Sequence, residues 1–167
     1  MITLENIVLV CAAISASLMA GLFYAWSCSI TAGLGRLPDA EYLGAMQSIN
    51  IAIQNPVFFA GFFGALFLLP IAAAMQYAPA PGPRFWLLAA AAVAYAVGVI
   101  GVSVAGNIPL NEALNSFPLH TATAHEIAAQ RVRFESPWNA LNTVRTISAV
   151  AAVTLAIAAC LAPKQNA

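Results

Sequence analysis

Three residues in the carboxyl-terminal third of the chain could together bind an anion. Trp138, Asn142 and Arg145 are spaced i, i+4 and i+7, so a helix places their side chains on one face. An arginine at the lip of a membrane helix either snorkels toward lipid headgroups or faces the bundle interior, where it needs a partner or a substrate. The aligned tryptophan and asparagine favour the interior position.

Histidine and glutamate side chains could bind a metal ion, but their spacing argues against it. His120 and His125 lie on either side of a predicted helix start, so they do not share one helical face. A zinc site would need further ligands, which Glu112 or Glu126 would supply only by folding back toward the histidines. We therefore predict no metal site.

Carboxamide side chains are concentrated in two polar inserts that separate the apolar stretches of the chain. In the first insert, apolar residues at helical spacing predict a short helix from Glu41 to Ile53 that also carries Gln47 and Asn50. Such a helix suits the membrane interface. It is either a solvated connector or a lid whose amides face a pocket.

The second insert opens with the motif Gly106–Asn111, directly after the third apolar stretch. Pro109 removes a helical donor and disfavours helical backbone at Ile108, so we predict a break in the backbone near the membrane boundary. The amides of Asn107 or Asn111 could satisfy the freed carbonyl groups. Because broken backbone at this depth is tolerated only against protein or water, the motif either ends the helix or faces a ligand.

Three sites carry the signature of a helix start. Thr123 and Glu126 have the spacing of a capping box, which predicts a helix that runs to about Glu135. Arg131 and Glu135 would form an i, i+4 pair on the solvated face of that helix. The other two starts are steps in which Asn or Ser caps a helix whose first residue is proline: Asn55–Pro56 and Ser136–Pro137.

Four long apolar stretches must position these residues. The chain is 62% hydrophobic and 7% charged, which excludes a water-soluble globule and calls for lipid as the solvent. A membrane-spanning helix needs about 20 apolar residues, and an open sheet would leave costly unpaired backbone groups in lipid. We therefore predict an all-α, four-transmembrane-helix bundle in a single domain, residues 1–167, with both inserts on the same face of the membrane. The spans are predicted at about 5–33, 56–77, 85–105 and 138–162.

The first apolar stretch and the basic residues bear on the topology of this multi-pass membrane protein. A cleaved secretory signal would have a positive start and an apolar region of about 7–15 residues, so the longer first stretch is predicted to be a retained helix. The net charge is zero and no basic cluster occurs, so no nucleic-acid partner is expected. The positive-inside rule predicts that the inserts are cytoplasmic, because Arg36, Arg131, Arg133 and Arg145 lie on their side, and Arg84, Lys164 and the amino terminus on the other.

Four polar or aromatic segments follow one another along nearly the whole chain: Gly21-x-Phe23-x-x-Trp26; Ala45-Met46-Gln47-x-Ile49-Asn50 followed by Asn55-Pro56; Gly106-Asn107-x-Pro109-Leu110-Asn111; and Trp138-x-x-x-Asn142-x-x-Arg145-Thr146. In type and order these segments resemble the anthrone oxygenase-like family of integral membrane proteins. The chain departs from the family in having Leu141 where a second tryptophan is expected, and a Ser-Cys-Ser stretch after Trp26 with no proline soon behind it. The resemblance implies cofactor-free oxidation of anthrones to anthraquinones, the activity of the members whose activity is assigned.

That activity implies a general base, donors for an oxyanion and a dry apolar cavity, with no metal and no organic cofactor. The partner it implies is a small apolar aromatic molecule. The implied donors are Asn107, Asn111, Asn142 and Arg145, with Gln47 and Asn50 closing the set, while Trp26 and Trp138 stack on a flat ring. The candidates for the base are His120, His125 and Glu112.

A different class of function fits the same residues. A non-catalytic bundle that binds a lipid, quinone or other apolar molecule, or a subunit of a larger membrane assembly, would use the amides and Arg145 without a base. A homo-oligomer would need small residues facing a second copy, and Ala94, Gly98 and Gly101 fit that role or close packing inside the bundle. A transporter is disfavoured, because the apolar stretches contain no acidic residue for a proton relay.

Overall fold

The computed structural model describes residues 3–163, which fold into five helices. These are α1 (Leu4–Leu34), α2 (Asp39–Ala52), α3 (Pro56–Ala74), α4 (Pro83–Asn115) and α5 (Ala124–Leu161). No β-strand occurs among residues 3–163. The predicted all-α fold is therefore confirmed.

Four of these helices, α1, α3, α4 and α5, are long and apolar enough to cross a membrane. In the most apolar window of each, only 28–33% of the residues are buried inside the protein, so most of every helix faces outward. The outward residues include large apolar side chains such as Leu18, Phe67, Val97 and Ile157, and a surface of this kind needs lipid around it. The structure is a four-transmembrane-helix bundle, consistent with a multi-pass membrane protein.

The four membrane helices pack in a ring in which α1 and α4 each lie between α3 and α5. Away from the inserts the core is built largely from small residues, which let helices approach closely; those with no exposed surface are Ala12, Ala16, Ala65, Ala91, Ala149, Ala152, Ala156 and Ala159. At the insert end the core is made of large side chains instead: Trp26, Tyr42, Met46, Phe134 and Trp138. The bundle thus has a small-residue end and a large-residue end.

Gly98 marks a close approach of α4 to α5. A Cβ atom at Gly98 would collide with the side chain of Ser148, and one at Gly106 would meet Leu141 Cδ1 at 2.6 Å. Because its open side is filled by Ser148, Gly98 packs inside the bundle rather than against a second copy.

Two of the three predicted helix starts are confirmed. Asn55 Oδ1 accepts hydrogen bonds from the backbone N–H groups of Val57 and Phe58 at 3.1 and 3.0 Å, and Pro56 is the first residue of α3. Thr123 and Glu126 form the reciprocal capping box, so α5 begins at Ala124. Each cap satisfies backbone donors that the first turn of a helix leaves unpaired.

The predicted start at Ser136–Pro137 is wrong, because α5 runs without interruption from Ala124 to Leu161 and holds Pro137 in its interior. The helix that begins at the capping box therefore does not end near Glu135. Phe134 and Trp138 are both buried on the same face, one turn apart across the proline. Burial of both rings favours a continuous helix, although the proline removes one helical hydrogen bond.

The predicted backbone break at Pro109 is also wrong. α4 stays helical through the motif, but two of its segments, Ala96–Gly101 and Ser103–Asn107, form wider π-helical turns. After them Pro109 falls in the first turn of a regular segment, Ile108–Asn115, where a missing N–H group is tolerated. The wider turns therefore take the place of the break, and such turns are frequent at functional sites.

α2 lies across the insert end of the bundle, where it packs against α5 and the end of α4. Its start is held by Arg131, which pairs with Asp39 at 2.9 Å and Glu135 at 2.7 Å and donates to the Leu37 carbonyl oxygen. The Arg131 guanidinium also lies over the ring of Tyr42, and burial, followed by the Glu135 charge, raises the pKa of that phenol. The predicted pair of Arg131 with Glu135 is confirmed. Arg131 does not lie on a solvated face, because its bonds to Asp39 and to the Leu37 carbonyl oxygen join α5 to the first insert.

The predicted cytoplasmic position of the inserts depends on counting basic residues, and the structure gives several of them structural contacts. Arg131 is held in ion pairs and Arg145 is buried, so both have structural surroundings that fix them. Arg84 donates to carbonyl oxygens at the end of α5, and Lys164 lies outside the described residues. The cytoplasmic position of the inserts stays a prediction.

Candidate functional site

A cavity of about 310 Å³ lies at the insert end of the bundle. All five helices contribute to its wall, α2 from the first insert and the others from the membrane bundle. The volume falls within the range of small-molecule sites, roughly 300–1,000 Å³. The cavity is therefore large enough for a small organic ligand.

Aromatic rings form two sides of this cavity. Four phenylalanines of α3 form one side, in stacked pairs with ring centroids 5.1 and 5.8 Å apart: Phe58 with Phe62 and Phe59 with Phe63. On the other of these two sides, Trp26 of α1 packs on Trp138 of α5 with ring centroids 5.0 Å apart. Both tryptophans line the cavity, so its wall can contact the faces and edges of a flat ring.

Arg145 lines the cavity as a buried cation, with 9% of its surface exposed. Its Nη2 donates to Asn142 Oδ1 at 2.9 Å, and its Nη1 lies 3.5 Å from Ser103 Oγ. The guanidinium is 4.6 Å from the ring centroid of Phe23 and 5.4 Å from that of Trp138. No carboxylate among residues 3–163 pairs with it, so the described protein leaves this positive charge without a counter-ion.

Three polar atoms of the cavity-lining residues are buried and have no hydrogen-bond partner within residues 3–163. They are the donors Asn50 Nδ2 and Arg145 Nε and the acceptor Asn107 Oδ1. A buried polar atom left unpaired costs about 1–3 kcal/mol, and more when it is charged. The set is therefore complementary to a ligand that brings two acceptors and one donor.

Asn142 hydrogen-bonds to the Arg145 guanidinium but does not itself line the cavity. Besides accepting from Arg145, it donates through Nδ2 to Ser27 Oγ at 2.9 Å. Ser27 Oγ is in turn 2.7 Å from Thr146 Oγ1, and that hydroxyl donates to the Phe23 carbonyl oxygen. This network ties the Arg145 turn of α5 to α1, which fixes the position of the guanidinium.

The two asparagines of the Gly106–Asn111 motif both contact Trp138. Asn111 Oδ1 accepts from the Trp138 indole at 2.8 Å, and Asn107 Nδ2 donates to the Trp138 carbonyl oxygen at 3.4 Å. Asn107 and Asn111 line the cavity, on the face of α4 that the π-helical turns direct toward α5. The wider turns thus position the two asparagine side chains that orient Trp138.

Gln47 lies outside the cavity wall and fastens α2 to the end of α4. Its Nε2 donates to the carbonyl oxygens of Leu114 and Phe117 at 2.9 and 3.1 Å, where α4 ends and the turn after it begins. Three residues further along α2, Asn50 is buried and lines the cavity. α2 therefore covers the cavity, with Gln47 as its attachment and Asn50 as its contact.

The three candidate bases lie in different surroundings. Glu112 lines the cavity at an exposed position, whereas His120 and His125 are exposed and do not line it. Within residues 3–163 no group of three His, Cys, Asp or Glu side chains is placed to hold a metal ion. Of the three candidates, Glu112 alone is in the wall of the cavity.

Sequence reasoning missed several residues of this site. Phe23 lies against Arg145, and Ser103 and Ser27 belong to its hydrogen-bond network. Ser27 follows Trp26 in the stretch that departs from the family pattern, and Ser103 is a hydroxyl near the end of an apolar stretch, so polarity among apolar neighbours was the available signal. Phe23 belongs to the Gly21-x-Phe23-x-x-Trp26 segment of the resemblance, but its apolar ring gave no sign of a contact with Arg145.

A family model described as anthrone oxygenase matches residues 56–155, a segment that contains Asn107, Asn111, Trp138, Asn142 and Arg145. No curated protein and no solved structure matches the chain. Because the family model covers more than half of the sequence, the chain belongs to the anthrone oxygenase family.

Proposed function

We propose that the protein is a cofactor-independent oxygenase that acts on an anthrone-like, electron-rich aromatic substrate in the membrane. The observation that carries the proposal is Arg145, a buried cation without an acidic partner among the described residues, in the wall of an aromatic cavity. An anion that develops on a bound ring would supply the missing counter-charge. Membership of the anthrone oxygenase family supports this substrate class.

The proposed reaction begins with removal of a proton from the ring carbon opposite the ketone of an anthrone. The resulting enolate carries its charge on oxygen, and fixed donors in a water-poor cavity stabilise such a charge more strongly than water does. The electron-rich carbon reduces molecular oxygen and forms a carbon–oxygen bond to a peroxide. Loss of the second proton from that carbon, with cleavage of the O–O bond, yields the quinone carbonyl and one water molecule.

The roles in this proposal follow from position. Arg145 and Asn50 supply unpaired donors for the enolate oxygen, and Asn107 Oδ1 accepts from a neighbouring hydroxyl of the substrate. Trp26 and Trp138 contact the ring system. Position at the cavity wall favours Glu112 over His120 and His125 as the base. Asn142 acts through Arg145, and the site uses neither a metal nor an organic cofactor.

We expect the enzyme to be a multi-pass protein of a plasma membrane, such as the bacterial inner membrane, and its substrate to be dissolved in the lipid. The experiment that tests it is oxygen uptake by the purified protein in lipid vesicles supplied with emodin anthrone, with and without a metal chelator. We expect uptake that the chelator does not lower, with one oxygen molecule consumed for each anthraquinone formed. Binding of the anthrone without uptake would overturn the catalytic role and favour a non-catalytic binding protein.

A further inference from the structure

We infer that the substrate reaches the cavity sideways from the lipid, through a cleft between α3 and the second half of α4. This inference rests on the proposed function, because it names the route by which that substrate arrives. α3 packs along Pro83–Tyr95 of α4 but makes at most isolated contacts with the part from Ala96 to Asn115. The Tyr95 hydroxyl donates to the Phe62 carbonyl oxygen at 3.0 Å, and beyond this bond the two helices separate.

Where α3 and α4 separate, four side chains both border the cavity and are exposed on the outside of the protein. On α3 these are Phe59 and Phe63, which are 38% and 43% exposed; on α4 they are Val104 and Ile108, which are 61% and 42% exposed. A side chain that borders a cavity and also faces outward lies at its mouth. All four are apolar, so this mouth suits hydrocarbon and not water.

The mouth lies at a definite depth in the membrane. α3 begins at Pro56, on the insert side, and a helix rises about 1.5 Å per residue, so Phe63 lies about 10 Å further along it. If α3 starts at the membrane boundary, the mouth, from Phe59 to Phe63, lies about 5–10 Å inside the hydrocarbon on the insert side. An aromatic molecule with a phenolic edge settles at this depth, because its rings are apolar and its oxygens seek the interface.

The phenylalanines of α3 lead from this mouth to the polar end of the site. Phe63 is exposed and packs edge to face on Phe62, which is 8% exposed; Phe62 in turn stacks on Phe58. Arg145 and Trp138 belong to the wall of the same cavity. A flat ring can keep contact with aromatic faces along this path, which an acyl chain does less well, so the path favours aromatic molecules over lipid tails.

A second part of the cavity wall is polar and exposed: Gln54, Glu112 and Asn115. This part opens toward the inserts, where water is available. A proton taken by Glu112 can be released there without crossing the lipid. The cavity thus has an apolar mouth for the substrate and a polar mouth for the proton.

The test uses the intrinsic fluorescence of the cavity. The chain has three tryptophans, and Trp86→Phe removes the one outside the cavity, which leaves Trp26 and Trp138 as reporters. In lipid vesicles, a nitroxide-labelled alkane dissolved in the membrane should quench these two tryptophans. Val104→Phe and Ile108→Phe, each made separately, fill the mouth and should remove most of that quenching. Val97→Phe is the matched control, since Val97 is 67% exposed on the same helix and does not line the cavity.

Equal quenching in the two filled variants and the control would overturn the inference. Quenching by acrylamide from the water should be similar in all variants, because the polar mouth is unchanged. In the same vesicles, the filled variants should lower kcat/KM for emodin anthrone about tenfold with little change in kcat, as expected for a slower association. If the alkane result holds but the unaltered protein consumes no oxygen, the cleft stands and the proposed function fails; if oxygen is consumed and filling the mouth changes neither readout, the reverse is true.

Discussion

At Arg145 the stability of the protein and the binding of an anion make opposite demands. The side chain is buried, and its Nε has no hydrogen-bond partner in the described part of the chain. We therefore expect Arg145→Met to raise the free energy of unfolding, because burying an unpaired charge costs several kcal/mol, more than the roughly 1–3 kcal/mol lost at Asn142 Oδ1 when its donor is removed. Turnover should fall about 10²–10³-fold, the usual cost of losing one oxyanion donor. Thermal unfolding and oxygen uptake measure the two effects.

The control for that prediction is Arg133→Met, which removes an exposed charge from the same helix. It should leave both the unfolding temperature and the turnover near those of the unaltered protein. A less stable Arg145→Met protein that keeps its turnover would mean that Arg145 has a structural role only.

Asn142 offers a sharper test, because its Oδ1 lies 2.9 Å from Arg145 Nη2. Asn142→Asp keeps the shape of the side chain but places a negative charge beside the guanidinium. The internal ion pair would then compete with the substrate enolate, so we expect turnover to fall about 10²-fold while the protein stays folded. Gln130→Glu makes the same chemical change on α5 outside the cavity and should not alter turnover. Full activity of Asn142→Asp would show that no anion forms next to Arg145.

The base can be identified by a set of three variants. Glu112→Gln removes the carboxylate from the cavity wall and should lower kcat about 10²–10⁴-fold, the usual contribution of a general base. His120→Gln and His125→Gln alter exposed residues away from the cavity and should retain activity. If a histidine variant is the inactive one, the base is not Glu112.

The inward position of Arg145 could be predicted because helical spacing fixes which side chains share a face. The partners of these side chains could not be predicted. Gln47 bonds to carbonyl groups more than sixty residues away, and that contact depends on how far α2 slides over the end of α4. Neither spacing nor composition records such a register.

At the scale of the helices, the fit of α4 against α5 depends on Gly98. Gly98→Ala would force a Cβ atom into Ser148, and overpacking of this kind costs about 1–3 kcal/mol. Chemical denaturation in detergent should show the loss, and adding Ser148→Gly to the variant should restore much of it. Gly21→Ala is the matched control, because among the described residues no group outside its own stretch of helix would lie within 4 Å of a Cβ there, and alanine favours a helix by about 0.5–1 kcal/mol.

Both incorrect predictions at this scale concern proline. Pro137 and Pro109 are helix-breaking residues by local chemistry, and each is nevertheless held in a long helix. At Pro137 burial of aromatic rings on either side outweighs the local cost. At Pro109 the preceding π-helical turns shift the register. Local rules therefore predicted the capped helix starts but not the places where tertiary packing overrides a proline.

At the scale of the whole molecule, the lipid surroundings make the number of helices predictable from the sequence. They do not make it predictable which helices pack side by side. Apolar stretches of sufficient length must form helices in lipid, and the four that were expected are present. Their mean hydropathy is nearly equal, 2.0 to 2.3, so composition does not tell which helix lies beside which. The ring order, and with it the cavity, comes from side-chain shapes such as those of Gly98 and Ser148.

The unequal ends of the bundle core also bear on how proteins of this kind could diversify. One end is closed by alanines that leave little room for change, and the other is held apart by large rings around the cavity. Substitutions at the large-residue end can reshape the ligand-binding cavity without loosening the small-residue end. Binding preference and structural integrity are thereby separated along the length of the helices, so new specificities can be reached by mutation while the scaffold persists.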